Sequence, residues 1–218
     1  MNRPQVIINC AMSADGKIAL PSRKQLRISS DEDMERVYRL RNECDAVLVG
    51  IGAVISDNPN LTIKEKYVKN PKQPLRVVLD SRCRTPEDAL VLNDMTKTLI
   101  FTIQGNEKQF DEDYIEVIGI KNNDEGCVDL DSVLDVLHQK GIRKLLVEGG
   151  GTVIWSFLRR RLVDDLYVYI GSCIIGGKNT PTMADGIGIK SKDDLLSIKI
   201  VDVNRLGNGI LVHYKPNL

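Results

Sequence analysis

The feature that most constrains this fold is a predicted strand that runs through three consecutive glycines into a predicted helix. The strand covers Arg143–Glu148, the glycines are Gly149–Gly151, and apolar residues recur at helical spacing over Thr152–Leu162. Such a strand, turn and helix are typical of α/β proteins. Because the first N–H groups of the helix are unpaired and glycine lets a phosphate come close, the segment indicates a nucleotide site. Its spacing is not that of the G-x-G-x-x-G dinucleotide motif.

Strands and helices are predicted to alternate before this turn. The predicted strands are Gln5–Ala11, Asp45–Gly50, Leu75–Leu79 and Lys97–Thr102, and the predicted helices are Asp31–Glu43, Ile51–Ile55 and Leu130–Lys140. Strands alone are predicted after Leu162, over Asp165–Ser172, Ile198–Asn204 and Ile210–Lys215, with a hairpin turn before the last of them. These patterns predict one α/β domain over residues 1–218, with a mostly parallel central sheet, a C-terminal antiparallel hairpin and helices on both faces.

Composition excludes several classes of protein. Lys plus Arg and Asp plus Glu both number 30, so there is no basic excess of the kind that nucleic-acid and membrane-surface proteins carry. No apolar run approaches the roughly 18 residues of a membrane span, and no signal peptide is recognisable, so a soluble cytoplasmic protein is expected. The five cysteines form no C-x-x-C pair and the two histidines are not in ligand spacing. Reduced thiols and no metal site are therefore predicted.

Polar residues follow three other predicted strands. Lys17 lies in a loop after the first strand, and taken alone this loop favours a simple turn with a solvated lysine. The alternative is a ligand contact, because α/β sheets place ligands at the ends of central strands. Asp57 follows a second strand, glycine and helix, and is either a ligand contact or a helix-end residue. Arg82 and Arg84 come just after Leu75–Leu79 and suit a ribose 2′-phosphate, with a solvated loop as the alternative.

Glu148 is an acid at the end of an apolar strand, beside the glycines. Burying an acid without a partner is costly, so a ligand hydroxyl or amine is a reasonable partner for this carboxylate. The alternative is that Glu148 only caps the start of the following helix.

Five segments, taken together and in order, closely resemble the riboflavin-biosynthesis pyrimidine reductases. They are NCAMSADGKIA, LRNECDAVLVGIGAVISDNPNLT, LRVVLDSRCRTP, LLVEGGGTV and GGKNTPT, and they extend over nearly the whole chain. The resemblance implies a dihydrofolate-reductase-like fold, a homodimer, and NADPH-dependent reduction of the ribosylamino side chain of a pyrimidine 5′-phosphate to a ribitylamino chain. The implied substrate is 2,5-diamino-6-ribosylamino-4(3H)-pyrimidinone 5′-phosphate. Because the H-x-E and P-C-x-x-C deaminase signature is absent, the chain resembles the stand-alone archaeal or fungal type, without a deaminase domain.

The resemblance also implies which residues bind the two ligands. The implied cofactor residues are Ala53, Asp57, Asp80, Ser81, Arg82, Cys83, Val128, Gly149, Gly150, Gly151, Thr152 and Val153. The implied substrate residues are Asn9, Asp15, Lys17, Arg27, Arg41, Lys64 and Glu148. The cofactor is expected to be NADPH, with NADH possible.

Two of these residues are expected to take part in the chemistry. Glu148 would stabilise an iminium charge or hold ribose hydroxyls, and Lys17 would donate a proton to the opening ring oxygen or bind phosphate. Two other functions remain open at this stage. One is a reductase of the same fold that acts on a pteridine such as dihydrofolate. The other is a non-catalytic regulator that binds nucleotides.

Overall fold

A computed structural model of the chain describes residues 3–24 and 26–216. Close contacts divide the chain into two compact units. The first contains Tyr38–Leu146 together with the residues up to Gln5, and the second contains Val6–Val37 together with the residues from Val147 onward. No helix in the described ranges is long and apolar enough to cross a bilayer. The expectation of a single reductase domain over residues 1–218 stays a prediction.

The first unit is a parallel α/β arrangement. Its strands are β2 (Ala46–Gly50), β3 (Leu75–Leu79), β4 (Thr98–Ile103) and β5 (Ile115–Ile120), and its complete helices are α2 (Ile51–Asp57) and α3 (Leu130–Gln139). The strands lie in the order β5-β4-β3-β2, and each neighbouring pair is parallel. All five residues of β2 are buried, as expected for a strand covered on both faces.

The second unit contains the antiparallel strand pairs. Its elements include β1 (Gln5–Ser13), α1 (Asp31–Glu43, to Val37), β6 (Lys144–Gly149, from Val147), α4 (Gly151–Arg159), β7 (Asp165–Gly171), β8 (Ile198–Leu206) and β9 (Gly209–Pro216). β1 pairs with β7 in parallel, whereas β9 is antiparallel to both β7 and β8. The predicted mostly parallel sheet with a C-terminal antiparallel hairpin is therefore confirmed.

The predicted elements agree with the structure apart from their ends and one strand. β1 continues past Ala11 to Ser13, because it pairs with β7 as far as Gly171. Helix α4 ends at Arg159 and not at Leu162, whose N–H bonds instead to the Phe157 carbonyl in the turn that follows the helix. The predictions omitted β5, a half-buried strand at the edge of its unit with a glycine inside it. Such a strand shows little apolar alternation.

The three consecutive glycines at the junction of β6 and α4 are required for different physical reasons. Gly149 has a φ of 148° and Gly150 a φ of 67°, in the region that favours glycine, and a Cβ atom at either would meet nothing within 4 Å. Gly151 has no such φ, but a Cβ atom there would collide with the backbone carbonyl of Thr182. The turn is therefore open at its first two glycines and tightly packed at the third.

The segment Thr182–Asp185 covers the first turn of α4. The N–H of Asp185 donates to the carbonyl of Gly151 at 3.2 Å, and the Asp185 carboxylate accepts from the N–H and hydroxyl of Thr182 at 3.1 and 2.5 Å. This carboxylate would lie 3.0 Å from a Cβ atom at Gly151. Gly151 is thus required by a close approach of two chain segments.

We predict that Gly151→Ala lowers the free energy of unfolding by about 1–3 kcal/mol, because the added methyl group forces Thr182–Asp185 away from α4. Gly52→Ala is the matched control, since Gly52 lies inside α2 with nothing within 4 Å of its Cβ position. That control is expected to raise stability by about 0.5–1 kcal/mol, because alanine favours helix. Urea unfolding measures both, and a Gly151→Ala variant of wild-type stability would contradict the packing described.

Candidate active site

The loop after β3 is held by the buried carboxylate of Asp80. Asp80 is 0% exposed, and its Oδ2 accepts from the backbone N–H of Thr85 at 2.7 Å and from its hydroxyl at 2.9 Å. The Oδ1 atom accepts no hydrogen bond from any described residue, and Arg84 Nε lies 3.7 Å from it. Asp80 therefore fixes the loop with one oxygen, while its other oxygen is buried near Arg84.

The predicted cofactor residues after β3 are close to Val128. The backbone N–H of Val128 donates to Ser81 Oγ at 3.2 Å, and Cys83 is 1% exposed in a left-handed conformation, with a φ of 49°. Arg82 is exposed, and within the described part of the chain its guanidinium has no hydrogen-bond or ion-pair partner. The loop after β3 is thus held by Asp80 and carries the Arg82 guanidinium, which has no partner among the described residues.

Helix α2 begins at the same edge of the first unit. Parallel pairing aligns Gly50 of β2 with Leu79 of β3, so α2 and the loop at Asp80 both start where their strands end. Ala53 and Asp57 are half-buried residues of α2. Ala53 is therefore in the first turn of α2, near the edge that carries the loop after β3, whereas Asp57 is at the opposite end of the helix.

Arg41 and Lys64 belong to another part of the first unit. Arg41 Nη1 donates to the carbonyl of Thr62 at 3.0 Å, and its guanidinium lies 5.2 Å from the centre of the Tyr38 ring. The Tyr38 ring stacks on Tyr67 at 4.4 Å. Lys64 is exposed on the same segment as Thr62. Arg41 is therefore bonded to Thr62, a residue that lies two positions before Lys64 in the sequence.

The loop after β1, in the second unit, is organised by Asp15. Its Oδ1 accepts from Ser13 Oγ at 2.6 Å and from the N–H of Ile175 at 3.1 Å, while its Oδ2 accepts from the N–H of Gly176 at 2.7 Å. The Ser13 hydroxyl and the two backbone N–H groups lower the pKa of Asp15 to about 2. Asp15 thus holds the segment after β7, and its predicted contact with substrate stays a prediction.

Lys17 lies in the same loop and pairs with Thr182 in an isolated antiparallel bridge. Its Nζ atom is 3.5 Å from the carbonyl oxygen of Thr180, so the ammonium group is only loosely held. Thr180 is 3% exposed, and its Oγ1 has no hydrogen-bond partner among the described residues. An ammonium group placed in this way is able to move onto a ligand oxygen.

Glu148 is the half-buried, next-to-last residue of β6 and immediately precedes the open positions Gly149 and Gly150. Thr152 and Val153 follow in the first turn of α4, where Thr152 is exposed and Val153 half-buried. This end of the second unit therefore offers a carboxylate beside a stretch of backbone that a ligand is able to approach.

Arg27 lies at the N-terminal end of α1, where it forms an ion pair with Asp31 and has 60% of its side chain exposed. It lines an open cavity of about 610 Å³, together with Arg205 and with two acids, Asp31 and Glu32. Because two basic and two acidic residues share this cavity, its charge alone does not select an anion.

The sequence predictions missed several polar residues in these loops and in helix α1. They are Asp33 and Arg36 of α1, Thr85, Thr180, and the pair Thr182 and Asp185. Asp33 and Arg36 are three residues apart, a spacing that allows an ion pair on one face of a helix, so the sequence could have indicated this pair. The signal does not reveal that Asp33 is fully buried.

Comparison with known proteins assigns the family. The model of the RibD C-terminal domain matches residues 4–212. The chain is 44% identical to the 2,5-diamino-6-ribosylamino-4(3H)-pyrimidinone 5′-phosphate reductase of Archaeoglobus fulgidus, over 99% of both chains. It is 38% identical to the protein of the same name from Methanothermobacter thermautotrophicus, over 97% of this chain and 98% of that one.

A solved structure shows the same fold. It is a diaminohydroxyphosphoribosylaminopyrimidine deaminase/5-amino-6-(5-phosphoribosylamino)uracil reductase from Thermotoga maritima, which matches with a TM-score of 0.79 and 28% identity. The match covers 98% of this chain and 57% of the Thermotoga chain, so this chain spans little more than half of that protein. The chain belongs to the RibD C-terminal domain family of reductases.

Proposed function

We propose that the chain reduces the ribosylamino side chain of 2,5-diamino-6-ribosylamino-4(3H)-pyrimidinone 5′-phosphate to a ribitylamino chain, with NADPH as the hydride donor, in riboflavin biosynthesis. The observation that carries the proposal is the 44% identity, over nearly the full length, to a reductase of that name. The polar loops after β1, β3 and β6 agree with it, since they provide the cations and the carboxylate that such ligands require. We also propose a cytoplasmic location, where cofactor and phosphorylated substrate are available.

The residues of the first unit suit the phosphorylated end of NADPH. We propose that Asp80 holds this loop through Thr85, and the Ser81 hydroxyl, which is close to Val128, is able to donate to a phosphate oxygen. The unpartnered guanidinium of Arg82 suits a 2′-phosphate, which it can bind through two hydrogen bonds. We propose Ala53, Asp57 and Cys83 as further contacts of this unit. In the second unit, we propose Gly149–Val153 as cofactor residues, because the first two glycines leave open space.

The second unit suits the pyrimidine ribosyl phosphate. We propose as substrate residues of this unit Asn9, Asp15, Lys17, Arg27 and Glu148. Arg41 and Lys64, in the first unit, stay predicted substrate residues. Lys17 supplies a loosely held ammonium group, which is suited to an oxygen of the sugar or phosphate.

The reaction requires the furanose ring to open to an imine before carbon C1′ is reduced. The cofactor supplies the hydride for this step. We propose that Lys17 donates a proton to the ring oxygen as the C–O bond breaks, and that Glu148 stabilises the positive charge of the protonated imine. The remaining substrate residues hold the sugar in position for the transfer.

The proposed function predicts that NADPH absorbance at 340 nm falls only when the pyrimidine substrate is added. Glu148→Gln should bind NADPH normally but lose about 10²–10³ of kcat/KM, because it removes the charge that stabilises the iminium group. The exposed Glu87→Gln is a matched control and should retain wild-type kinetics.

Three results would contradict this assignment. Unchanged kinetics in Glu148→Gln would remove Glu148 from the mechanism. Turnover of dihydrofolate in place of the pyrimidine would identify a pteridine reductase. Tight binding of NADPH without oxidation in the presence of the pyrimidine would identify a nucleotide-binding regulator.

A second prediction concerns the choice of cofactor. If Arg82 pairs with the 2′-phosphate, Arg82→Ala should raise the KM for NADPH and leave that for NADH nearly unchanged. A charge-assisted hydrogen bond contributes about 1.5–3 kcal/mol, so the preference for NADPH should fall by about one to two orders of magnitude.

Two further variants sharpen this measurement. Arg84 lies near Asp80 and is able to share the role, so the double alanine variant of Arg82 and Arg84 should show the full effect. Arg39→Ala, on the exposed side of α1, is the control. A wild-type ratio of NADPH to NADH efficiency in the double variant would show that this loop does not recognise the 2′-phosphate.

We further propose that two copies of the chain form a dimer through β8. This strand lies at the edge of its unit, and eight of its nine residues are exposed. Four of them are large apolar residues, with Ile198 39%, Ile200 57%, Val201 49% and Val203 54% exposed. An exposed apolar edge strand favours association, and identical edges pair readily about a two-fold axis.

Sedimentation equilibrium tests the dimer. The wild-type protein should sediment with twice the 24.4 kDa mass of one chain, and Val203→Lys should sediment as a monomer because the charge opposes burial of the edge. Met95→Lys, which replaces an apolar residue 52% exposed elsewhere, should remain dimeric. A monomeric wild-type protein, or a dimeric Val203→Lys variant, would refute pairing through β8.

A further inference from the structure

The first half of α1 contains a polar network that none of the roles above includes. Asp33 is 0% exposed, and its carboxylate accepts from Ser29 Oγ at 2.6 Å and from Arg36 Nε at 2.8 Å. Arg36 Nη2 donates in turn to Asn9 Oδ1 at 2.6 Å. A buried ion pair stabilises a fold only weakly, because removing its charges from water is costly. Stability alone therefore does not explain why Asp33 and Arg36 are paired here.

The network fixes the orientation of the Asn9 side-chain amide. A guanidinium group only donates hydrogen bonds, so the Asn9 atom that faces Arg36 has to be the oxygen. The Nδ2 atom, with its two hydrogens, therefore points away from Arg36. No residue within 3–24 or 26–216 accepts a hydrogen bond from this Nδ2. Asn9, which is only 7% exposed, thus presents a donor of fixed direction.

Arg36 is itself held from two sides. Besides the bond to Asp33, its guanidinium lies 5.9 Å from the centre of the Tyr167 ring, and Tyr167 is aligned with Asn9 in the pairing of β1 and β7. The Tyr167 ring stacks on His213 at 4.3 Å, and His213 Nε2 is 2.8 Å from Asp165 Oδ1. A guanidinium held in this way keeps the amide in place before a ligand arrives.

We propose that Arg36 is a positioning residue, which turns the Asn9 amide so that its Nδ2 donates to an oxygen of the pyrimidine ribosyl phosphate. The inference rests on the proposed function, in which Asn9 binds this substrate. The substrate carries both oxygens and amino groups. A fixed N–H donor favours an acceptor oxygen and disfavours an amino group at that point, so Arg36 contributes to the orientation of the substrate without touching it.

Kinetics of Asn9→Ala, Arg36→Met and the double variant test the proposal. Each single variant should raise the KM for the pyrimidine about three- to tenfold, the effect of one lost hydrogen bond, and leave the KM for NADPH unchanged. The double variant should be no worse than the poorer single variant, because Arg36 acts only through Asn9. Arg36→Lys retains a donor and should recover most of the loss. The control Arg39→Met, on the exposed side of α1, should behave as wild type.

Other outcomes of the cycle overturn the proposal. If the two effects multiply in the double variant, Arg36 contacts the substrate itself or acts through the fold in general. A wild-type KM for the pyrimidine in Arg36→Met would show that the Asn9 amide does not depend on Arg36. If Arg36→Met does not fold, Arg36→Leu, which also lacks a donor, takes its place in the cycle with the same expected pattern.

Nuclear magnetic resonance of the protein without ligands separates this inference from the proposed function. The Asn9 side-chain NH₂ signals are assigned by their absence in Asn9→Ala. Arg36→Met should shift or split these signals, whereas Arg36→Lys and Arg39→Met should leave a single pair. If the wild-type protein does not reduce the pyrimidine, the proposed function fails while this measurement still decides whether Arg36 orients Asn9. Unchanged NH₂ signals in Arg36→Met would refute the inference.

Discussion

Parallel pairing between neighbouring strands is the constraint on which the candidate ligand residues of each unit depend. In the first unit, Gly50 is aligned with Leu79, so the start of α2 and the Asp80 loop lie at the same edge. In the second unit, Ser13 is aligned with Gly171, so the segments after β1 and β7 begin side by side. Asp15 is then able to bond to the backbone of Gly176, which is 161 residues further along the chain. Parallel strands place their carboxyl ends together, and ligands of α/β proteins bind at that edge.

The elements and the loops with polar residues were predictable because both depend on local sequence. Apolar runs such as Ala46–Gly50 and Leu75–Leu79 are strands buried by helices, and their composition shows it directly. Charged residues just after such runs, as at Asp80 and Lys17, indicate loops at a strand end. β5 was missed because an edge strand that is partly solvated and contains Gly119 lacks both signals.

Contacts between distant segments were not predictable in the same way. The three glycines look alike in sequence, yet Gly149 and Gly150 are required by positive φ and Gly151 by the approach of Thr182. The bonds from Ser13 and from the backbone after β7 to the two oxygens of Asp15 were likewise not visible in the sequence. Each of these facts depends on which segments meet in space, and hydrophobic periodicity carries no information about that.

The Asn9 network shows why such contacts matter for the chemistry. Asn9 has a donor and an acceptor in one side chain, so its identity alone does not determine which of the two a ligand meets. The choice is made by Arg36, which is 27 residues away in sequence, and the charge of Arg36 is balanced by the fully buried Asp33. A buried ion pair costs desolvation energy that an apolar pair would avoid. The ion pair has a purpose where the direction of the Asn9 N–H donor matters more than stability. A guanidinium fixed by a carboxylate leaves the neighbouring Asn9 amide only one orientation.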